Sequence, residues 1–232
     1  MSTAEIAGLK LRRRGSDGGT SGLIELAEPT NDGAFAIGVG EPYAVAVAVE
    51  GVAPLLFHRW SVEGNEAKRQ AAKNSRARTQ DDIETYLYRC PDGTIGIPGT
   101  YLKAAVANPQ GAAKFRPDPR SPRKSALDLY RAGVVVMNEL ASLGVREPDY
   151  LDRRRVVVQR SGITRTRPAM QPGWRAEFEV TVVLPEYIPP ADLHEVVSMA
   201  GRLVGVGDFR PAYGRFILTH FQVRREATDG QP

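Results

Sequence analysis

Residues 174–224 read WRAEFEVTVVLPEYIPPADLHEVVSMAGRLVGVGDFRPAYGRFILTHFQVR. This stretch decides the fold. Trp174, Ala176, Phe178, Val180, Val182 and Leu184 alternate with mostly polar residues, the two-residue period of a long strand with one buried face. Pro189-Pro190 opens a helix, because proline suits a first helical turn. On that helix Leu193, Val196, Val197, Ala200 and Val204 fall on one stripe at the i, i+3, i+4, i+7, i+11 spacing. Gly205 and Gly207 stop it, and Phe216–Val223 supplies a last strand. A strand, a helix, a glycine- and arginine-bearing loop and a strand predict half of a ferredoxin-like fold.

Working towards the N-terminus, Tyr43, Val45, Val47 and Val49 alternate with alanines and predict an opening strand, ended by Gly51 and Pro54. Residues 61–82 are polar, basic and alanine-rich, and suit a helix or an insertion. Ile83–Arg89 reads as a short strand, and Pro91-Asp92-Gly93 as a turn. A helix is predicted over Tyr101–Ala107 with Thr100 as its N-cap, ended by Asn108-Pro109. Residues 109–125, rich in Pro, Lys and Arg, read as an exposed loop, and Ala126–Tyr130 is too short to assign. Gly133–Met137 reads as a strand, and Arg153–Thr166 as a projecting hairpin around Ser161-Gly162.

The predicted class is therefore α+β: a ferredoxin-like, RRM-like βαββαβ core with insertions at about 61–90 and 109–170. The first insertion is a basic helical one, the second carries the thumb-like hairpin. Residues 1–40 read as a flexible arm with at most a short strand near Leu23–Leu26 or Phe35–Val39, 41–225 as the domain, and 226–232 as a disordered tail. No solenoid-length repeat is present.

The 232 residues are 42% hydrophobic and 25% charged, enough for one substantial core. The net charge of +4 is too mild to name a partner, so its distribution carries the argument. A single cysteine, Cys90, excludes an intramolecular disulfide. No apolar run has the length of a membrane span, and Lys10–Arg14 leads into glycine and serine rather than an apolar leader segment. The expectation is a cytoplasmic protein of a bacterial or phage-infected cell.

Three places carry chemistry. The loop Gly205–Phe216 combines Gly205, Gly207 and Gly214 with Arg210 and Arg215, which can bind phosphate oxygens in bidentate fashion. Phe209, Tyr213 and Phe216 stack on bases or fill the core. The loop is no dinucleotide fingerprint, because it follows a helix and precedes a strand. Its alternative reading is a structural helix-to-strand turn. The second place is Pro98-Gly99-Thr100-Tyr101-Leu102-Lys103, where a helix start, a hydroxyl and a lysine suit a phosphate, against the alternative of an ordinary capped helix. The third is Arg153–Arg175, with Arg153, Arg154, Arg155, Arg160, Arg165, Arg167 and Arg175 and no acidic residue, a pattern that favours a polyanion.

A further basic cluster, Arg59, Lys68, Arg69, Lys73, Arg76 and Arg78, is diluted by Glu63 and Glu66, and Lys114–Lys124 sits among prolines. His58, His194 and His220 are isolated and lack metal-ligand spacing, with His194 on the polar side of its helix. His58 as a general base would need positioned partners that the sequence does not supply. No enzyme, metal or cofactor is expected.

The loop Gly205–Gly214 and the segment Pro98–Lys103 together resemble the RAMP superfamily, the repeat-associated proteins of CRISPR systems. Members carry a glycine-rich loop between the last helix and last strand of a modified RNA-recognition fold, and a Pro-Gly-Ser-Ser-Leu-Lys type helix start. Here Thr100 and Tyr101 stand in place of the two serines. The ending Gly-Val-Gly-Asp-Phe-Arg-Pro…Gly-Arg-Phe is also similar to that of uncharacterised proteins of actinobacterial phages and prophages, over most of residues 43–224. The resemblance implies a non-catalytic backbone subunit that oligomerises along a guide RNA and presents it for target pairing. The catalytic aspartate of target-cleaving relatives has no counterpart in Gly51–Trp60. The implied RNA-binding set is Thr100, Lys103, Arg160, Arg165, Arg167, Gly205, Gly207, Phe209, Arg210, Tyr213 and Arg215, with His58 and Arg59. A phage accessory protein for recombination or replication that binds single-stranded DNA is the alternative.

Overall fold

The computed structural model describes residues 41–60, 66, 70, 82–158 and 161–224, with the backbone alone at 156–158 and 161–163. The readings for the N-terminal arm, residues 61–82 apart from 66, 70 and 82, Arg160 and the C-terminal tail fall outside these residues.

The principal sheet has four strands, all antiparallel, in the order β11 (Phe216–Arg224), β1 (Tyr43–Gly51), β10 (Arg175–Val182), β6 (Val134–Val136). The alternation read from the sequence sets its faces. Tyr43, Val45, Val47 and Val49 of β1 and Ala176, Phe178, Val180 and Val182 of β10 are buried on one side. Two helices close that side: α1 (Gly99–Ala107) through Leu102, Ala105 and Val106, and α3 (Pro190–Met199) through Leu193, Val196 and Val197. Each fully buried aliphatic or aromatic side chain contributes about 1.5–3 kcal/mol, so this layer is the main stabilising feature.

Proline opens α3 as the sequence indicates, and the buried stripe continues through a π turn, Ala200–Val204. Gly205, at φ +77°, then terminates the helix, with its N–H donating to the Ala200 carbonyl at 2.8 Å. The opposite face of the sheet presents the alanines of β1 with Glu177 and Glu179 of β10.

A second sheet, in the order β2 (Leu55–Leu56), β9 (Ser161–Met170), β8 (Tyr150–Val158), forms a long ribbon. Val158 pairs with Ser161 and Val157 with Gly162, so Ser161-Gly162 belong to the ladder. Two short pairs complete the strands: β3 (Gly96–Pro98) with β7 (Leu140–Ser142), and β4 (Pro117–Asp118) with β5 (Ser121–Ser125). A further helix, α2 (Leu127–Gly133), fills the stretch that the sequence left unassigned.

Several local readings are corrected. Ile83–Arg89 is a 3-10 turn, Glu84–Tyr86, followed by an isolated bridge from Arg89 to Ile95, because Arg89 pairs with Glu84 at 2.7 Å and folds the segment on itself. Thr100 is no N-cap. The helix starts at Gly99, preceded by Pro98, and no side chain caps it. Residues 109–125 are not simply exposed: Ala112 and Ala113 are buried, and Arg116 bridges Asp192 and Glu195 on α3. His194 is half-buried, edge-on to Phe221 at 5.1 Å, which overturns its reading as an exposed residue. Among the described residues, no helix is long and apolar enough to cross a membrane.

Candidate nucleic-acid interface

The loop from Gly205 to Gly214 is shaped by its own packing. A Cβ on Gly214 would lie 1.7 Å from the Val206 carbonyl oxygen, and one on Gly207 would lie 2.6 Å from Leu55 and 2.8 Å from the Leu56 carbonyl. All three glycines have positive φ. The amides of Gly205, Val206, Asp208, Tyr213 and Gly214 donate to the carbonyls of Ala200, Gly214, Leu56, Phe209 and Pro54. The glycines therefore serve the approach of the chain to itself, and these five amides are not available to an anion. Whatever phosphate chemistry the loop has resides in its side chains.

Those side chains divide sharply. Arg210 and Arg215 are exposed, with Arg215 Nε donating to the Pro211 carbonyl at 2.7 Å. Tyr213 is half-buried and its hydroxyl accepts from Arg154. Phe209 sits at φ +59°, a left-handed conformation uncommon for a bulky residue, and keeps 37% of its surface exposed. Its ring lies 4.7 Å from the Arg167 guanidinium and 5.6 Å from that of Arg154.

Three arginines of the run, Arg154, Arg167 and Arg175, pair with carboxylates of the same molecule. Ribbon register sets Asp152 opposite Arg167 and Arg154 opposite Arg165, so these four share one face, turned to the loop. Asp152 accepts two hydrogen bonds from Arg154, which hold that guanidinium well above its ordinary pKa. Arg167 is 4% exposed, and its Nε lies 2.6 Å from Asp208 Oδ2. Its implied role as an RNA ligand is corrected to that of an internal tie between ribbon and loop. Arg175 pairs with Glu50. The other ribbon face leaves Arg153, Arg155 and Thr164 exposed.

Arg165 Nη1 donates to His58 Nε2 at 2.7 Å. A guanidinium has no lone pair to accept with, so in this contact the ring nitrogen is the acceptor. The His58 ring also meets Tyr86, with centroids 4.8 Å apart. His58 thus does have positioned partners, a point the sequence could not supply, but one of them occupies the nitrogen that a base would use.

Lys103 leaves the phosphate set. Its ammonium donates to the carbonyls of Tyr130 and Arg131, each at 2.9 Å, and to that of Val134, closing the C-terminal end of α2. Burial and the neighbouring Arg131 lower its pKa. The start of α1 is occupied in a similar way: the Gly99 amide donates to the Glu139 carbonyl at 3.1 Å, and a Gly99 Cβ would lie 2.1 Å from the Asn138 carbonyl. Thr100 remains exposed beside it.

Three residues outside the sequence-derived set join the surface. Arg59 lies over the Tyr88 ring at 5.6 Å, and the hydroxyls of Tyr88 and Tyr101 are 3.2 Å apart. Burial first, then the Tyr88 partner and the Asp208 charge, push the Tyr101 phenol up, while Arg210 opposes this. Trp60, next to Arg59, is 70% exposed. The signal for Tyr101 was its place in the Pro98–Lys103 segment. Trp60 and Tyr88 carried none.

No protein-family model matches this chain, and no curated protein matches it either.

Proposed function

We propose that the chain is a non-catalytic RNA-binding subunit with a ferredoxin-like core, which oligomerises along a guide-type RNA and presents it for pairing. The strand order supports the core assignment. With α1 and α3 as the helices of a βαββαβ unit, β11-β1-β10-β6 is the order fourth, first, third, second. The assembly along a guide rests on the resemblance to RAMP proteins. Binding itself is carried by one observation: Arg59 lies over the Tyr88 ring, whose hydroxyl meets that of Tyr101, and the Gly205–Gly214 loop exposes Arg210 beside Phe209 in sequence. Such a combination of cations and rings suits a single strand, whose phosphates take the arginines and whose bases stack without sequence preference.

The sheet face that RNA-recognition domains use as a stacking platform is a poor alternative here. It carries Glu177 and Glu179 at its centre and alanines on the adjoining strand, with Arg224 drawn to Glu179 and His220 opposite Ala48 as its ring, so it is a poorer platform for phosphate and stacked bases. The strand is instead placed by this reading across the loop.

Arg210→Glu is the test. At fixed salt, affinity for a 20-to-30-nucleotide RNA read by fluorescence anisotropy is expected to fall at least tenfold while the circular dichroism spectrum is unchanged. The log–log salt slope should weaken by roughly 0.7 for each phosphate that the variant no longer neutralises. Unchanged affinity in a folded variant would remove the loop from the interface. Nuclease treatment of co-purified nucleic acid separates the RNA reading from the single-stranded DNA one.

A further inference from the structure

A groove of about 560 Å³ opens between the end of α1, the π turn and the Gly205–Gly214 loop. Its size falls within the roughly 300–1,000 Å³ of small-ligand clefts. Asn108, Gln110 and Lys114 line one side, and Leu203, Phe209 and Arg210 the other. The sequence does not bring these residues together, because they come from segments about 100 residues apart.

The backbone that presents the two amides is pinned. The Asn108 N–H donates to Ala104 at 3.1 Å, and the Asn108 carbonyl accepts from Gly111 at 2.6 Å. A Cβ on Gly111 would lie 2.7 Å from the Val106 backbone, and Ala112 and Ala113 beyond it are fully buried. A turn anchored in this way holds Asn108 and Gln110 at a fixed place on the groove wall. Both are exposed there, as are Lys114 and Arg210. The lining carboxylate, Asp208, is committed to Arg167.

A carboxamide offers one donor edge and one acceptor edge in a plane, the pattern that matches the N6 and N7 edge of adenine. Lys114 and Arg210 supply cations for a phosphate, and the exposed part of the Phe209 ring a surface for stacking. We propose that this groove is a subsite for one adenine nucleotide of the bound strand, its base read by Asn108 and Gln110 and its phosphate held by Lys114 and Arg210. The inference rests on the single-strand binding reading for its context, but its chemistry can be tested alone.

Two measurements test it and keep it separate from that reading. The first is titration of 15N-labelled protein with adenosine 5′-monophosphate. The side-chain amide resonances of Asn108 and Gln110 are expected to shift, and titration of Asn108→Ala/Gln110→Ala is expected to leave the backbone amides around Phe209 unmoved. Side-chain resonances that stay fixed at millimolar ligand would overturn the subsite.

The second measurement compares oligo(A) and oligo(U) of equal length. The double variant should lose about tenfold in affinity for oligo(A), equivalent to about 1.4 kcal/mol, and stay within twofold on oligo(U). Equal loss on both would overturn adenine recognition. If neither oligonucleotide binds the unaltered protein while the mononucleotide shifts both amides, the RNA interface is refuted and the adenine site stands.

Discussion

The Arg167–Asp208 pair should respond asymmetrically to the loss of either partner. The Arg167 side chain is 5% exposed and that of Asp208 is 32% exposed, with 2.6 Å between Nε and Oδ2. Asp208→Ala strands a guanidinium that cannot reach water, and removing one member of a buried pair costs about 3–5 kcal/mol. Asp152, opposite Arg167 across the ribbon, is already engaged by Arg154 and offsets only part of this, so the low end of the range is expected. Arg167→Met leaves a carboxylate that is one-third exposed and can hydrate. Its cost is the missing cation beside the Phe209 ring plus a screened attraction, about 1–2 kcal/mol. The double variant should resemble Arg167→Met, because it strands no charge. Urea unfolding followed by circular dichroism measures all three. In thermal melts a loss of about 3 kcal/mol corresponds to a fall of roughly 6–12 °C for a chain of this size. If Asp208→Ala costs less than about 1 kcal/mol, or no more than Arg167→Met, Arg167 is not a buried charge held by Asp208 and the assigned tie between ribbon and loop is wrong.

Two further outcomes follow from the packing. A Cβ on Gly51 would lie 2.0 Å from Trp174 Nε1, so Gly51→Ala must displace the indole and break its 2.9 Å bond to the Ala53 carbonyl. The expected loss is about 1–3 kcal/mol, with a red shift of Trp174 emission measured in a Trp60→Phe background. Burial pushes the His194 imidazole below its ordinary pKa, partly opposed by Glu195. The unfolded chain then takes up its proton at a higher pH than the folded one. This contribution is complete above about pH 6.5 and is lost as pH falls through the lower folded value. His194→Gln should flatten the dependence of the urea midpoint between pH 6.5 and 5, and an unaltered slope would show that burial does not control this group.

The strands β1, β10 and β11 and the helix α3 were legible because each has one buried face, and a single periodicity then determines both element and orientation. Tyr43, Val45, Val47 and Val49 and Ala176, Phe178, Val180 and Val182 take the buried positions of their strands, alternating with residues of the other face, as their sequences indicate. The start of α1 was misread for a different reason. Thr100 is a good cap in isolation, yet the Gly99 amide is taken by the Glu139 carbonyl, a contact between residues 40 apart that local preference cannot register. Segment 83–89 failed likewise: its aromatic residues favour a strand, but the Arg89–Glu84 ion pair closes it into a turn.

The charge distribution of the candidate site was not legible in the sequence. Counting Arg153–Arg175 as acid-free treated a strand as a line, when cross-strand and loop neighbours decide which charges reach solvent. Asp152, one residue before the run, binds Arg154, and Asp208, 41 residues after Arg167, binds Arg167. The alternation of the ribbon sends Arg165 to His58 and leaves Arg153 and Arg155 outward. The same neutralisation sharpens the interface. A wholly free arginine run would attract any polyanion along its length, whereas the exposed Arg59 lies over the Tyr88 ring, which meets Tyr101, and the exposed Arg210 follows Phe209 on the loop. Rings have no value for binding the outside of a duplex, whose bases are stacked on each other. They do for a strand whose bases are unstacked, so the spared arginines and the rings beside them favour a single strand over a double helix.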